Sequence, residues 1–281
     1  GNGQENCGPF NPTAITSVSL PSGGLGGVEY IWLESNVNVP NTSGNPYWSP
    51  IAGSNSSTYN PGYITQTTYY IRCSRSVGCS FYAGETNVIA MVVNPVGTAS
   101  TQVISNVSCY GLSDGSASVS VNGGTSPYTY LWSNNATTST ISNLSAGTYT
   151  VVITDANNCT SNASVTITTP SEMTLSLSSV DPTCASGTNG SVACTANGGT
   201  TPYTYTWSNS ATSANLSNLS SDTYVVTVTD ANGCSTTDSV SIARPACCNV
   251  TSAGTIGNGQ ENCGPFNPTA ITSVSLPSGG L

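Results

Sequence analysis

The chain has 281 residues and a formal net charge of −9, with three Lys plus Arg residues, twelve Asp plus Glu residues and no His. Nucleic-acid binding needs a dense basic surface against the phosphates, so this charge excludes nucleic acid as a partner. Without His the chain lacks the commonest general base, and because all three basic residues are Arg it also lacks the Lys amine that forms Schiff bases. We therefore expect no enzymatic activity, no catalytic residue and no cofactor.

The first 94 residues are predicted to form an immunoglobulin-like β-sandwich. Cys7, Trp32 and Cys73 follow one another in the order Cys, Trp, Cys, which immunoglobulin-like sandwiches use for a cross-sheet disulfide packed on a buried indole. This order predicts a disulfide between Cys7 and Cys73. Strands are expected where Val, Ile, Tyr and Thr are dense, near Val28–Leu33, Gln66–Arg72 and Asn87–Val93.

Two copies of a smaller domain come next, predicted over residues 95–170 and 171–244. Cys109–Cys159 aligns with Cys184–Cys234 at a constant offset of 75 residues. In the first copy Tyr149, Val151 and Ile153 alternate with Thr150, Val152 and Thr154, which predicts a strand with one buried face. Strands are expected in that copy near Gln102–Val107, Ser116–Val121, Tyr128–Trp132, Ser139–Asn143, Thr148–Thr154 and Ala163–Thr168.

The end of the chain repeats its beginning. Gly257–Leu281 is identical to Gly1–Leu25, a period of 256 residues. Identity over this length indicates recent duplication, so we expect one unit of a longer tandem array, with residues 245–281 opening the next copy of the first domain. If the period is 256 residues, the first strand of the next copy of the first domain lies within residues 246–256. We therefore expect residues 1–94 to receive their first strand from a preceding unit.

The cysteines predict disulfides and an extracellular location. Of the eleven, Cys263 is the copy of Cys7, so one period holds ten. An even number without metal-finger spacing favours disulfides over a metal site. The cysteines shared by the two inner copies predict one disulfide between Cys109 and Cys159 and another between Cys184 and Cys234. The remaining cysteines are expected to pair among themselves in an order that the sequence leaves open: Cys79, Cys194, Cys247 and Cys248.

One acidic turn recurs in both inner copies. Asp155 and Asp230 open the sequences Asp-Ala-Asn-Asn and Asp-Ala-Asn-Gly. Oxygen-rich turns can hold calcium, which makes both residues calcium candidates. Each turn offers a single carboxylate, however, and Asp commonly accepts backbone hydrogen bonds in tight turns. The structural turn is the favoured interpretation, and no other metal site is expected.

The inner copies resemble SprB repeats. The resemblance rests on the motifs at residues 123–133, 144–149 and 154–159, and it covers about half of the period. Such repeats are found in very large surface adhesins of gliding Bacteroidota. The first domain resembles the immunoglobulin-like modules that accompany these repeats in proteins exported by the type IX secretion system. The resemblance implies a cell-surface or released adhesin or filament protein without catalytic residues.

The predicted fold class is therefore all-β, a tandem array with three immunoglobulin-like or PKD-like β-sandwiches per period. The longest apolar run, Val88–Val93, is too short to span a membrane. We expect a structural repeat unit of a long extracellular adhesive fibre or appendage shaft, with identical repeats joined head to tail. The low charge weakens mutual repulsion, which favours lateral bundling of several chains. The alternative is a multivalent module that binds glycans or other cell surfaces.

Overall fold

A computed structural model describes residues 3–16, 28–40, 45–76, 83–84, 87–183 and 187–244. These residues contain β-strands and no helix, so the all-β prediction is confirmed for this part of the chain, which accordingly holds no helix able to cross a membrane. The chain divides into two compact units. Unit 1 comprises Gly1–Ser105 and Gly115–Ile167, and unit 2 comprises Asn106–Asp114 and Thr168–Leu281.

The N-terminal part of unit 1 is a β-sandwich. Its described strands are β1 (Gln4–Cys7), β2 (Ile15–Thr16), β3 (Val28–Ser35), β4 (Ser49–Pro50), β5 (Thr58–Tyr59), β6 (Thr68–Ser76), β7 (Ala83–Gly84) and β8 (Ile89–Asn94). The larger sheet has the order β1-β8-β6-β3-β4, with β7 beside β6, and β2 pairs with β5 in a second sheet. Ile15 of the small sheet packs with Trp32 and Met91 of the large one, and all three are buried.

The strands of the first inner copy complete unit 1. They are β9 (Thr98–Ser105), β10 (Gly115–Asn122), β11 (Thr129–Trp132), β12 (Thr140–Leu144), β13 (Gly147–Thr154) and β14 (Thr160–Ile167). They form two three-stranded sheets, β12-β10-β9 and β11-β13-β14. Val151 and Ile153 on β13 are buried while Val152 between them is exposed, which confirms the predicted alternation.

Unit 2 contains the second inner copy with the same arrangement. Its strands are β15 (Thr174–Val180), β16 (Gly190–Asn197), β17 (Thr204–Trp207), β18 (Asn215–Leu219), β19 (Thr223–Thr229) and β20 (Ser235–Ser241). The sheets β15-β16-β18 and β17-β19-β20 share one core, in which Val192 and Cys194 of the first sheet meet Trp207 and Val226 of the second. This is again a sandwich. The segment of residues 106–114, which connects β9 to β10 in sequence, belongs to unit 2.

The two compact units are larger than the predicted domains, and the boundaries at residues 94, 170 and 244 stay predictions. Residues 245–281 lie outside the described part of the chain. The donated first strand at residues 246–256 therefore also stays a prediction.

Candidate functional site: the Asp–Cys turns and their disulfides

The same short turn joins the last two strands of each inner copy. We call Asp155–Cys159 and Asp230–Cys234 the Asp–Cys turns. In the first, the Asp155 N–H donates to the Cys159 carbonyl at 3.0 Å, and the Asn158 N–H donates to the Asp155 carbonyl at 3.0 Å. Asn158 has φ of 61° and Gly233, its counterpart, has φ of 84°. Only Gly, Asn and Asp adopt this left-handed conformation readily, which explains why the variable position holds Asn or Gly.

The Asp carboxylate organises each turn. Oδ1 of Asp155 accepts hydrogen bonds from the N–H groups of Asn157 and Cys159, both at 2.9 Å, and Oδ2 accepts the Thr125 N–H at 3.0 Å. The second turn repeats this arrangement around Asp230, with distances of 2.8 to 2.9 Å. Thr125 lies in the loop between β10 and β11. The carboxylate therefore fixes the backbone at the cysteine and ties it to a neighbouring loop of the same sandwich.

The glycine that precedes Thr200 leaves room for this carboxylate. Gly199 has φ of +61°, and a Cβ added there would lie 2.8 Å from Oδ2 of Asp230. Gly124 is its counterpart in the first copy, with φ of +74° and a corresponding distance of 3.2 Å to Oδ2 of Asp155. The Gly-Gly-Thr sequence and the Asp–Cys turn are thus two halves of one structure.

Both carboxylates are held in the charged form. Burial acts to raise the pKa of Asp155, but the N–H groups of Thr125, Cys159 and Asn157 outweigh it and bring the pKa below its usual value. The pKa of Asp230 is lowered in the same way, by Thr200 and the turn N–H groups against the effect of burial. Backbone N–H groups bonded to an Asp carboxylate are what the sequence analysis described for a structural turn. Within the described residues, no three His, Cys, Asp or Glu side chains are grouped as a metal site would require.

Each turn ends on a cysteine that is bonded to a distant part of the chain. Cys159 forms a disulfide with Cys7, which ends β1, across a sequence separation of 152 residues. Cys234 forms a disulfide with Cys109, across a separation of 125 residues. The Cα atoms of the two pairs are 5.3 and 5.7 Å apart. Both lie in the normal range for disulfides.

The predicted pairing within each inner copy is therefore wrong. Cys109 and Cys159 have other partners, and Cys234 is bonded to Cys109 and so is not bonded to Cys184. The physical reason is that a constant repeat offset fits two connectivities equally well. The first cysteine of a copy can bond to the second cysteine of the same copy or of the next one. The structure shows the staggered alternative.

The predicted disulfide between Cys7 and Cys73 is also wrong. Cys7 is bonded to Cys159. Cys73 is buried with Ile71 and Trp48, whereas Trp32 packs in the other core with Tyr70. Side chains alternate along β6, so Cys73 faces away from the indole that the prediction placed beside it.

The remaining cysteines are one described thiol, Cys194, and five cysteines that the structure does not describe. Cys194 is a free thiol, 4% exposed, in the core of the second inner copy, so the expectation that it pairs with the other leftover cysteines is wrong. Burial, and then the charge of Asp238, raises the pKa of this thiol. Outside the described residues lie Cys79, Cys184, Cys247, Cys248 and Cys263.

Cys109, which is bonded to the second Asp–Cys turn, lies in a short segment that is held by hydrogen bonds. We call residues 106–114 the docking segment. Asp114 accepts hydrogen bonds from the Oγ and the N–H of Ser108, and these bonds lower its pKa. On the other side, the Asn232 side chain donates from Nδ2 to the Ser108 carbonyl at 2.9 Å. The disulfide is therefore accompanied by hydrogen bonds that fix the docking segment on the turn.

A polar groove lies elsewhere, in the N-terminal sandwich. It has a volume of about 360 Å³, and Glu34, Asn36 and Gln66 contribute to its lining. Tyr47 and Tyr63 flank it with 59% and 64% of their surfaces exposed. Tyr70 also lines it, and burial, followed by the charges of Glu34 and Tyr59, raises its pKa to about 12, so the phenol stays neutral.

The fold and these turns define a class: all-β proteins whose sandwich domains are linked by staggered disulfides. Comparison with protein families adds that residues 101–137 and 176–212 match the SprB repeat, so the chain contains two segments of this type. Residues 1–95 match a domain of unknown function, DUF8696. No curated protein matches the chain.

Among solved structures the chain is similar to immunoglobulin-domain proteins. Down Syndrome Cell Adhesion Molecule, in a structure of its eight N-terminal Ig domains, is 13% identical with a TM-score of 0.39, and the match covers 87% of this chain and 36% of that one. The ectodomain of mouse nectin-like molecule 4 is 9% identical with a TM-score of 0.42, covering 85% and 95%. The amphioxus IgVJ-C2 molecule is 14% identical with a TM-score of 0.28, covering 58% and 99%.

Proposed function

We propose that the chain is a structural repeat unit of a long extracellular fibre or surface appendage shaft. The observation that carries this proposal is the stagger of the disulfides. Each bond joins a cysteine at or after the first strand of one sandwich to the Asp–Cys turn of the next inner copy. Successive domains are then connected by a disulfide as well as by a peptide linker. A covalent connection of this kind suits a protein that transmits load along its length.

An extracellular location and a role without catalysis are part of this proposal. The SprB segments and the disulfides fit a secreted or cell-surface protein of adhesive type, and they point to a structural protein without enzymatic activity. Export by the type IX system of a Bacteroidota cell belongs to the proposal, as do head-to-tail repeats and lateral bundling of chains. Few charges oppose such bundling, because the chain carries only fifteen charged residues of the Asp, Glu, Lys and Arg types.

Electron microscopy of the native protein tests the structural role. We expect ordered filaments whose axial repeat is set by the 256-residue period, and we expect mild reduction to make them more flexible without dissolving the individual sandwiches. Isolated globular particles under oxidising conditions would contradict the proposal. Native mass analysis in the same buffer separates single chains from bundles.

A multivalent glycan-binding module is the second candidate, and the groove of the N-terminal sandwich favours it. Two exposed tyrosine rings beside Glu34, Asn36 and Gln66 offer apolar faces for sugar rings next to hydrogen-bonding groups. Binding of the 281-residue chain to a glycan array that is lost in Tyr63→Ala would support this function. Tyr110→Ala is the matched control, since Tyr110 is a comparably exposed tyrosine in the docking segment. Unchanged binding in Tyr63→Ala, or a blank array, would argue against it.

A further inference from the structure

The polar groove of the N-terminal sandwich carries a negative charge, and its described lining contains no positive one. Among the described residues that line the groove, Glu34 is the charged one, and none of the three Arg residues of the chain belongs to the lining. Arg72, on the neighbouring strand β6, is 2% exposed and is used inside the sandwich. It lies 5.0 Å over the Tyr30 ring and donates to the Ser57 carbonyl at 3.2 Å. The charge of the groove therefore favours a cationic ligand and disfavours an anionic one.

The Glu34 carboxylate is available to a ligand. The buried hydroxyl beside it, that of Ser35, is already bonded, because its Oγ accepts the Val37 N–H at 3.1 Å and donates to the Val37 carbonyl at 3.0 Å. The Glu34 side chain, by contrast, is exposed and accepts no hydrogen bond from any residue that the structure describes. Its charge acts inside the sandwich as well, since burial and then Glu34 raise the pKa of both Tyr59 and Tyr70.

Tyrosine rings line the same groove as this carboxylate. Tyr47 and Tyr63 are exposed there, and Tyr70 is buried in the lining. The face of an aromatic ring attracts a cation, and the apolar ring also offers a surface for packing against a sugar. Exposed aromatic rings next to a free carboxylate are thus suited to a sugar that carries an ammonium group. A neutral sugar would gain the ring contacts without the ion pair.

We propose that the polar groove binds glycans through a protonated amino group, as in an oligosaccharide of unacetylated hexosamine residues. The Glu34 carboxylate pairs with the ammonium group, and the rings of Tyr47 and Tyr63 contact the sugar. The side-chain amides of Asn36 and Gln66 hydrogen-bond to its hydroxyl groups. This inference rests on the glycan-binding candidate of the preceding subsection, which it narrows to cationic sugars, and it is independent of the structural role.

Two trisaccharides with one backbone test the inference. The trimers of glucosamine and of N-acetylglucosamine differ in the charge of their amino groups at slightly acidic pH. Isothermal titration calorimetry measures the binding of each trimer to the 281-residue chain. We expect the glucosamine trimer to bind about three- to tenfold more tightly at about 0.1 M salt. Because salt screens exposed charges, this preference should largely disappear at about 1 M.

Substitutions separate the groove from general attraction of a cation to a chain with net charge −9. Glu34→Gln should remove the preference and leave binding of the acetylated trimer unchanged, whereas Tyr63→Ala should weaken binding of both trimers. Glu172→Gln is the matched control, since Glu172 is an exposed glutamate of unit 2 and its loss changes the net charge equally. This control should keep the full preference.

Three results would overturn the inference: equal affinity for both trimers, a preference that Glu34→Gln retains, or an equal loss of preference in Glu34→Gln and Glu172→Gln. If binding of the acetylated trimer is nevertheless lost in Tyr63→Ala, the glycan-binding candidate stands without the preference for a cation. No binding of either trimer, together with a blank glycan array, would reject the inference and the glycan-binding candidate together.

Discussion

Each sandwich in the described part of the chain has a buried strand tryptophan whose indole N–H donates to a backbone carbonyl of a later loop. Nε1 of Trp32 donates to the Ser56 carbonyl at 3.0 Å. The counterparts Trp132 and Trp207 donate to the carbonyls of Thr138 and Ser213, both at 2.9 Å. A buried indole contributes a large apolar surface but requires an acceptor for its single donor. A loop that comes after the tryptophan strand provides that acceptor, so loop and core are fixed together.

The lowered pKa of Asp230 leads us to expect that the free energy of unfolding decreases at acidic pH. Its folded pKa lies below the unfolded value of about 3.9, so its contribution is present above that pH and is lost as the pH falls through the folded pKa. With no His in the chain, we expect constant stability between about pH 5 and 8 and a decline below about pH 4. Urea denaturation across this pH range measures the free energy of unfolding.

Asp230→Asn should weaken this acid dependence. The variant should also cost about 2 kcal/mol at neutral pH, because an amide replaces a charged acceptor of three backbone N–H groups. Asp238→Asn is the matched control, since Asp238 is an exposed aspartate on β20. Equal acid dependence in Asp230→Asn and the parent would contradict this role of the carboxylate.

The buried thiol of Cys194 is predicted to be structural and unreactive. Burial and the neighbouring Asp238 raise its pKa, which disfavours the nucleophilic thiolate. The first inner copy carries Val119 at the same position, 6% exposed. We therefore expect Cys194→Val to change the free energy of unfolding by less than about 1.5 kcal/mol. Alkylation of Cys194 as rapid in the native protein as in the urea-unfolded protein would contradict this prediction.

At the level of elements, strands with strong apolar alternation were predictable and short strands were not. β13 and β11 lie within one residue of their predicted limits, because Val, Ile, Tyr and Trp alternate cleanly there. β9 begins at Thr98, four residues before the predicted start, in a run of Thr, Ala and Ser that carries little apolar signal. The two-residue strands β2 and β5 are defined by their pairing partner rather than by their own sequence.

The Asp–Cys turns show where local sequence is sufficient and where it is not. The turn is predictable from Asp, Asn and Gly at fixed places, since each supplies an acceptor or a left-handed residue close in sequence. Disulfide pairing is different because it depends on which domain approaches the turn. The sequence of a repeat is the same whether Cys159 meets a cysteine of its own copy or of the preceding domain. Only the three-dimensional arrangement distinguishes these cases.

Two glycines of the second turn region allow its steric requirement to be measured. Gly199 and Gly233 both have positive φ, but only at Gly199 would a Cβ meet the Asp230 carboxylate, at 2.8 Å. Around Gly233 no atom lies within 4 Å of the added Cβ. We expect Gly233→Ala to cost about 1–2 kcal/mol from the left-handed backbone alone, and Gly199→Ala to cost more. Thermal unfolding of the two variants gives the difference, and equal costs would show that the carboxylate does not need this space.

At the scale of the whole molecule, the two disulfides close overlapping covalent loops. One loop spans Cys7 to Cys159 and the other spans Cys109 to Cys234, so residues 109–159 belong to both. A chain pulled from its two ends extends along its shortest covalent path. From Cys7 that path crosses to Cys159, returns along the chain to Cys109 and crosses again to Cys234. It contains 50 backbone steps, against 227 steps along the reduced chain.

Single-molecule pulling therefore provides a direct measure of the shaft role. At about 3.3–3.6 Å per residue, reduction should lengthen the fully unfolded 281-residue chain by about 580–640 Å. Cys109→Ser should produce part of this gain without reductant, because it opens one loop and leaves the bond between Cys7 and Cys159. Cys194→Ser should leave the extension unchanged, since Cys194 is a free thiol. If oxidised and reduced chains unfolded to the same length, the disulfides would not be limiting extension, and load transmission through them would be ruled out.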